Sequence, residues 1–201
     1  MAGKRALIVY DSKYGATEQI ANWIAEGIND ADLSRVDRVN GLAYDLIVVG
    51  CPVYYEAPSP RIIRFLDRNR DALKNRKLAL FTVSVPLGMT PERAPKFTGQ
   101  KDVKALFDHV AGTVISSKAF LGRIELKEMS QFDRLSIRMW CLLKGCELKD
   151  ASFLNRDEAV AWGKRLLELL IRPPDVIPPQ PKGSSDVPPR PGGSGGQTEK
   201  S

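Results

Sequence analysis

Four apolar-rich runs, separated by stretches with helical periodicity, constrain the fold of this chain more than any other feature. Runs that are rich in branched residues and do not alternate indicate strands covered on both faces. Strands that alternate with helices build a parallel sheet with helices on both faces, an α/β fold. The runs are ALIVY (6–10), LIVVGC (46–51), KLALFTVSV (77–85) and GTVISSKAFLG (112–122).

The segments between and after these runs favour helices and one weaker strand. LSRVDRV (33–39) alternates only partly and predicts a short, more exposed strand. Pro60 suits the first turn of a helix, and Asn155 suits an N-cap. The predicted helices cover 16–29, 60–73, 100–111 and 156–171.

The last 29 residues differ in composition from the rest of the 201-residue chain. Residues 173–201 are mostly Pro, Gly and Ser with few apolar side chains, so we predict a disordered tail after one domain, 1–172. The formal charge of +6 lies on that domain, because three basic and three acidic residues of the tail cancel. A basic surface suggests anionic lipids, nucleic acid or anionic substrates.

The three cysteines are best interpreted as reduced structural thiols. Cys141 and Cys146 lie close enough in sequence for a disulfide or a metal, but His109 is the only histidine, so we predict no metal site. The apolar run after Lys4 and Arg5 is too short for a signal peptide, and no run reaches the roughly 18 residues of a membrane span. We expect a cytoplasmic protein.

The turn after the first run, YDSKYGATEQIA (10–21), holds more polar and small residues than a change of direction requires. Ligands of parallel sheets bind outside the carboxyl ends of the strands, and the next helix offers free N–H groups to a phosphate. Ser12 and Thr17 add hydroxyl donors, while Gly15 and Ala16 allow close approach. Without a dinucleotide or triphosphate fingerprint, the turn predicts a phosphomonoester site. The alternative is a capped turn with no ligand.

This turn resembles the phosphate loop of the flavodoxin family, Ser/Thr-x-Thr-Gly-x-Thr. The chain has Ser12-Lys13-Tyr14-Gly15-Ala16-Thr17, in which Tyr14 replaces the family's threonine. The resemblance implies noncovalently bound FMN in a five-stranded sheet of order 2-1-3-4-5. It also implies two loops around the flavin ring, Pro52-Val53-Tyr54-Tyr55 and Ser84-Val85-Pro86-Leu87-Gly88. An aromatic side chain of the first would cover the ring, and amides of the second would bind its pyrimidine edge.

A segment between the last predicted strand and the last helix, 124–153, does not fit the alternation of strands and helices. Its middle, FDRLSIRMWCLLKG (132–145), is a basic amphipathic helical pattern that plain flavodoxins lack. Over residues 5–171 the chain resembles the menaquinone-dependent protoporphyrinogen oxidase branch. That resemblance implies hydride transfer from a porphyrinogen to N5 of FMN and onward to a quinone, in heme biosynthesis. Arg61, Arg64 and Arg123 are candidates for contacting the porphyrinogen propionates.

One departure from that branch concerns the second flavin loop. Where the branch commonly has Arg-Tyr-Gly-His, this chain has Tyr54-Tyr55-Glu56-Ala57. Two other functions therefore remain open: an electron carrier or quinone/NAD(P)H reductase, and a flavodoxin fold used only for binding. No nucleic acid partner is expected.

The amphipathic pattern of 132–145 suits a helix in the interface of an anionic membrane. The protein would then be peripheral on the inner face of the cell membrane. Alternatively, the helix covers the sheet edge or joins two copies in a homodimer. The apolar residues of the pattern are Leu135, Ile137, Met139, Trp140, Leu142 and Leu143, and its basic residues are Arg134, Arg138 and Lys144.

Overall fold

Five parallel strands form the sheet that the apolar runs predict. The computed structural model describes residues 6–85, 87 and 99–171. Within them the sheet order is β2-β1-β3-β5-β6, and the two-residue β4 pairs antiparallel with the end of β3. The predicted order 2-1-3-4-5 is confirmed, since β4 is only a hairpin extension. The strands are β1 (Ala6–Tyr10), β2 (Ala31–Arg35), β3 (Leu46–Tyr54), β4 (Ala57–Pro58), β5 (Lys77–Ser84) and β6 (Thr113–Leu121).

Helices cover both faces of the sheet, because alternate residues of each strand point to opposite sides. In β1, Ala6, Ile8 and Tyr10 pack towards α1 and α6, whereas Leu7 and Val9 pack towards α2, α3 and α4. Each face carries its own buried apolar cluster, as expected of a doubly wound sheet. The helices are α1 (Ala16–Ile28), α2 (Pro60–Arg68), α3 (Arg70–Leu73), α4 (Gln100–Phe107), α5 (Gln131–Lys144) and α6 (Arg156–Ile171).

Two glycines let α1 and α6 approach each other closely. A Cβ atom at Gly27 would lie 2.3 Å from the Val160 carbonyl oxygen, and one at Gly163 would lie 2.3 Å from that of Ile24. Neither position has room for a side chain, because the obstacle is backbone. This contact holds the last helix against the first and so fixes the helix that begins at the first turn.

Three predicted elements have different bounds in the structure. The strand predicted at 33–39 is wrong in its bounds: β2 ends at Arg35, because its partner β1 ends at Tyr10. The helix predicted over 60–73 is broken at Asn69, whose side-chain amide and backbone N–H both donate to the Phe65 carbonyl oxygen, at 2.8 and 3.1 Å. The helix predicted over 100–111 ends at Phe107. The run at 112–122 was predicted to be a strand buried on both faces, but β6 is the last strand in the described sheet order, so most of its residues are half-buried or exposed.

The segment 124–153 forms a helical excursion closed by a small ribbon. β7 (Arg123–Ile124) pairs antiparallel with β8 (Ala151–Ser152), and between them lie a 3₁₀ turn (Leu126–Glu128) and α5. The Ser130 side chain caps α5 by accepting from the Asp133 N–H, 3.1 Å away. Of the helices described, none combines the length and apolarity needed to cross a bilayer. The tail predicted as disordered, 173–201, lies outside the described residues.

Candidate functional site

A cavity of about 560 Å³ opens at the carboxyl ends of the parallel strands. Three of its walls are the loops that the sequence predicts, after β1, within the end of β3 and after β5. The fourth wall is the excursion 123–140. Residues from the predicted loops that line it are Ser12, Lys13, Tyr14, Ala16, Thr17, Pro52, Val53, Tyr54, Tyr55, Ser84, Val85 and Leu87. Pro86 and Gly88, also predicted for this site, lie outside the described residues.

The loop after β1 lines the cavity and leads directly into the N-terminus of α1. Gly15 immediately precedes α1 with φ +80°, a left-handed conformation that glycine adopts without strain. No side chain among the described residues caps α1, so its first N–H groups are free to bind an anion. Ser12 and Thr17 are both buried in the loop. That this loop holds a phosphate stays a prediction.

The carboxylate of Asp133, from α5, is bound to this same loop. It accepts hydrogen bonds from the Lys13 ammonium at 2.5 Å, from the Tyr14 hydroxyl, and from the Ser130 hydroxyl at 2.8 Å. The Lys13 bond, followed by the Tyr14 bond, lowers the pKa of Asp133 from 3.8 to about 2. The same carboxylate raises the pKa of Lys13. Asp133 therefore fastens the excursion to the loop after β1, and we call this contact the Asp133 clasp.

The two tyrosines at the end of β3 occupy different positions around the cavity. The Tyr54 hydroxyl accepts the Lys13 backbone N–H at 3.2 Å, and burial raises its pKa to about 12. Tyr55 is 50% exposed at the edge of the cavity. Tyr55 and Glu56 form a tight turn between β3 and β4, with φ +52° and +64°. Two non-glycine residues with positive φ store backbone strain beside the cavity.

Two buried polar atoms beside the cavity have no hydrogen-bond partner among the described residues: the Ser84 hydroxyl oxygen and the Arg123 Nε. Both residues line the cavity. Because buried polar groups are nearly always hydrogen-bonded, these atoms fit a polar ligand that is held there.

The three arginines that the sequence offers as substrate contacts lie in two places. Arg123 lines the cavity, but it already pairs with Glu125 at 3.5 Å and Glu128 at 3.7 Å. Arg61 and Arg64 line a separate groove beside α2. The start of α2 is bound to Asp11, whose carboxylate accepts the Ser59 hydroxyl at 2.6 Å and lies 3.7 Å from the Arg61 guanidinium.

The wall formed by α5 is the part of the cavity that the sequence did not predict. Three residues of α5 that are four and three positions apart lie on one face of the helix and line the cavity: Asp133, Ile137 and Trp140. That spacing was visible in the sequence, but Ile137 and Trp140 were expected to contact lipid. Five other apolar residues form a solvent-exposed stripe, defined here as the outer stripe: Phe132, Leu135, Met139, Leu142 and Leu143.

Acidic side chains predominate around the cavity. Of the described residues that line it, five are carboxylates and two are cations. Such a cavity favours a second ligand that is neutral or cationic over one with several negative charges. The described residues contain no group of three or more potential metal-ligating side chains. The charged residues are Glu56, Asp102, Glu125, Glu128 and Asp133, opposed by Lys13 and Arg123.

The cysteines described lie apart from this chemistry and are all free thiols. Burial raises the pKa of Cys51 to about 12. Burial, followed by the contact with Cys146, raises that of Cys141 to about 11. Burial thus favours the thiol over the reactive thiolate at both positions.

Several solved structures are similar to this chain at low identity. A flavodoxin from the domain Archaea is 16% identical with a TM-score of 0.51, over 84% of this chain and 99% of the other. A WrbA-like flavodoxin protein from Agrobacterium tumefaciens is 18% identical with a TM-score of 0.48, over 84% and 98%. A flavoprotein from Lactobacillus acidophilus NCFM, crystallised in complex with FMN, is 20% identical with a TM-score of 0.46, over 58% and 93%.

No curated protein resembles this chain closely enough to count as a match. A family model described as a flavodoxin domain matches residues 7–147. The match begins in β1 and ends just after α5, so it includes every wall of the cavity. This span is more than half of the chain, and its strand order is that of the flavodoxin fold. The chain belongs to the flavodoxin domain family.

Proposed function

We propose that this chain is an FMN-dependent oxidoreductase whose cavity holds FMN together with a second small molecule. The observation that carries the proposal is the wall formed by α5, in which Ile137 and Trp140 line the same cavity as the ends of the strands. A protein that only shuttles electrons needs an open flavin edge. A cavity with an additional apolar wall instead holds a small substrate against the ring and excludes water.

The phosphate of FMN fits the loop after β1. The free N–H groups at the start of α1 and the left-handed Gly15 provide the cradle, and the Ser12 and Thr17 side chains lie within the loop. Arg123 reaches over Gly15, since a Cβ atom there would lie 3.5 Å from its Nη2. The Asp133 carboxylate of the clasp lies close to this loop, and the Lys13 ammonium offsets its negative charge.

The flavin ring fits between the second and third loops. FMN supplies the capacity to accept a hydride and to release electrons to an acceptor. Tyr55, which is exposed and lines the cavity, would stack on the ring. The otherwise unpartnered Ser84 hydroxyl is available to hydrogen-bond its polar edge.

We further propose a quinone as the electron acceptor and a porphyrinogen-type molecule as the donor. The acidic lining supports the quinone directly, since a quinone carries no charge. The proposal of a porphyrinogen as donor rests on the resemblance of residues 132–145 to the protoporphyrinogen oxidase branch. Its carboxylates would have to stay outside the acidic lining, so Arg123, already paired with two glutamates, is a weak site for them.

The outer stripe supports contact between α5 and an anionic membrane. Its five apolar residues are exposed, between 54% and 79%, and Arg138 and Lys144 of the same helix are exposed beside them. Apolar residues flanked by basic ones suit the interface of an anionic bilayer. Since another face of α5 lines the cavity, a lipid-dissolved quinone would have a short path to the flavin.

An electron carrier is the second candidate, and the turn at Tyr55 and Glu56 favours it. Both residues are exposed at the edge of the cavity, so this side stays accessible to a redox protein. The two candidates differ in which partner reoxidises the reduced protein.

Cofactor binding is tested by titrating FMN and riboflavin into the protein and following flavin fluorescence. We expect FMN to bind much more tightly, because the loop holds phosphate. Gly15→Ala should weaken the binding of FMN more than that of riboflavin. Gly145→Ala is the control, because Gly145 has a similar φ of +66° but lies in open space, and it should leave FMN binding unchanged. Equal affinities for FMN and riboflavin would contradict the phosphate site.

Electron transfer is tested by stopped-flow reoxidation of the photoreduced, FMN-loaded protein. We expect a menaquinone analogue to reoxidise it faster than a ferredoxin-type protein, and quinone-dependent oxidation of protoporphyrinogen to follow. Rapid reaction with the protein and none with the quinone would instead identify a carrier.

Membrane contact is tested by flotation with liposomes that contain anionic lipid. Binding should decrease with salt and should fail for Leu142→Ser/Leu143→Ser, which alters the outer stripe but not the cavity. Trp140→Ser is the matched control on the cavity face and should still float. If the wild type does not float, the membrane proposal is wrong.

A further inference from the structure

A second groove, of about 570 Å³, lies between α2 and the segment 36–42 that follows β2. We call it the arginine groove. One wall carries Arg61, Arg64 and Arg68 of α2. The opposite wall is apolar and is anchored in the core, since Val36, Val39 and Leu42 pack against the buried cluster beneath α2. The groove is therefore part of the packed fold rather than a gap between mobile side chains.

The three arginines share one face of α2, because they are three and four residues apart. The rise of an α-helix separates the first from the last by roughly 10 Å. Arginines at these spacings repel one another. The single carboxylate of α2, Asp67, does not relieve the repulsion, because it is bound to the His109 ring at 2.9 Å.

Two other carboxylates near the groove, Asp37 and Asp11, are also engaged. Asp37 lines the groove but pairs with Arg35 at 3.6 Å. Arg61 lies 3.7 Å from Asp11, whose other oxygen accepts the Ser59 hydroxyl at 2.6 Å. Across the ranges that the structure describes, Arg64 and Arg68 pair with no carboxylate within 4.0 Å. The groove thus contains uncompensated positive charge beside an apolar wall.

We propose that the arginine groove binds an elongated organic anion that carries at least two phosphate or carboxylate groups on an apolar body. Guanidinium groups bind both kinds of oxyanion in a bidentate manner. Their spacing along α2 matches charges that are several bonds apart, and the apolar wall accommodates the part of the molecule between them. A bare inorganic anion would leave that wall exposed to water.

The arginine groove shares no lining residue with the flavin cavity among those described. The two are neighbours, however, since Asp11 contacts Arg61 and directly precedes Ser12 of the phosphate loop. Because the two sites share no described lining residue, the proposal does not depend on FMN binding.

The experiment is isothermal titration calorimetry on protein saturated with FMN. The probes are 1,8-octanediol bisphosphate, for phosphate groups, and nonanedioic acid, for carboxylates. The variant Arg64→Gln/Arg68→Gln should lose affinity about tenfold or more for whichever probe binds the wild type. The control Lys164→Gln/Arg165→Gln removes the same charge from exposed positions on α6, across the sheet, and should bind as the wild type does.

Thermal unfolding separates binding from a structural role. Without a probe, the Arg64→Gln/Arg68→Gln variant should have a Tm equal to or above that of the wild type, because repulsion within α2 is removed. With a probe, only the wild type and the α6 control should gain Tm. Three results would overturn the proposal. They are a lower Tm of the unliganded Arg64→Gln/Arg68→Gln variant, an equal loss of probe affinity in this variant and in the α6 control, and no binding of either probe to the wild type. Binding of polyglutamate but of neither probe would also overturn it.

Discussion

The clasp predicts a specific effect of Asp133→Asn. The substitution keeps the shape of the side chain but removes the charge that accepts from Lys13 at 2.5 Å. The lowering of the Asp133 pKa from 3.8 to about 2 corresponds to ~2.5 kcal/mol. Because the Lys13 side chain is 54% exposed, solvent screening reduces this to about 1–2 kcal/mol. We expect that loss to fall on the attachment of α5 rather than on the sheet.

The assay is native-state hydrogen exchange at neutral pH, read separately for α5 and for β1 and β3. Protection of α5 amides should fall by roughly 5- to 30-fold in the variant, while the strands keep theirs. Asp108→Asn is the matched control, since Asp108 is an exposed carboxylate outside the cavity. Unchanged protection of α5 in Asp133→Asn would refute the clasp.

The pKa shifts of Asp133 and Lys13 predict how the attachment of α5 depends on pH. The pKa of Asp133 is lower in the folded state, so its contribution is present above about pH 4 and is lost as pH falls towards 2. The pKa of Lys13 is raised, so its contribution is present up to the ordinary value of 10.5 and is lost at higher pH. Wild type and variant should therefore differ at neutral pH and converge at acidic pH. A constant difference between them would contradict this reasoning.

Three further changes test other parts of the structure. Gly27→Ala places a Cβ 2.3 Å from the Val160 carbonyl oxygen and should lower the free energy of unfolding by about 1–3 kcal/mol in urea denaturation; no change would mean that α1 and α6 are farther apart. Glu56→Gly removes the strain of φ +64° and should raise that free energy by about 0.5–1 kcal/mol, whereas a decrease would show that the side chain is needed. Tyr54 should ionise only near pH 12, seen as the difference in ultraviolet titration between wild type and Tyr54→Phe; ionisation near pH 10 would contradict its burial.

The sheet and the position of the candidate site could both be predicted from local sequence patterns. Buried parallel strands require unbroken apolar runs, and the strands of ALIVY and LIVVGC form where those runs occur. The loop with Gly15 was also predictable, because a left-handed residue before a helix and flanking hydroxyls are local features. Local signals were weaker for β2, whose length depends on where β1 ends.

Tertiary structure alone decided what surrounds the site. Tyr14 and Asp133 are 119 residues apart in sequence, and nothing in either local pattern indicates that they meet. The helical pattern of α5 shows an amphipathic face but does not show which residues face the cavity. From the sequence, Trp140, which lines the cavity, could not be distinguished from Leu143, which is exposed. The charge of the cavity and the separate location of Arg61 likewise depend on how α5 and α2 are packed. Packing joins remote segments by shape and charge, and a local periodicity carries no information about its partner.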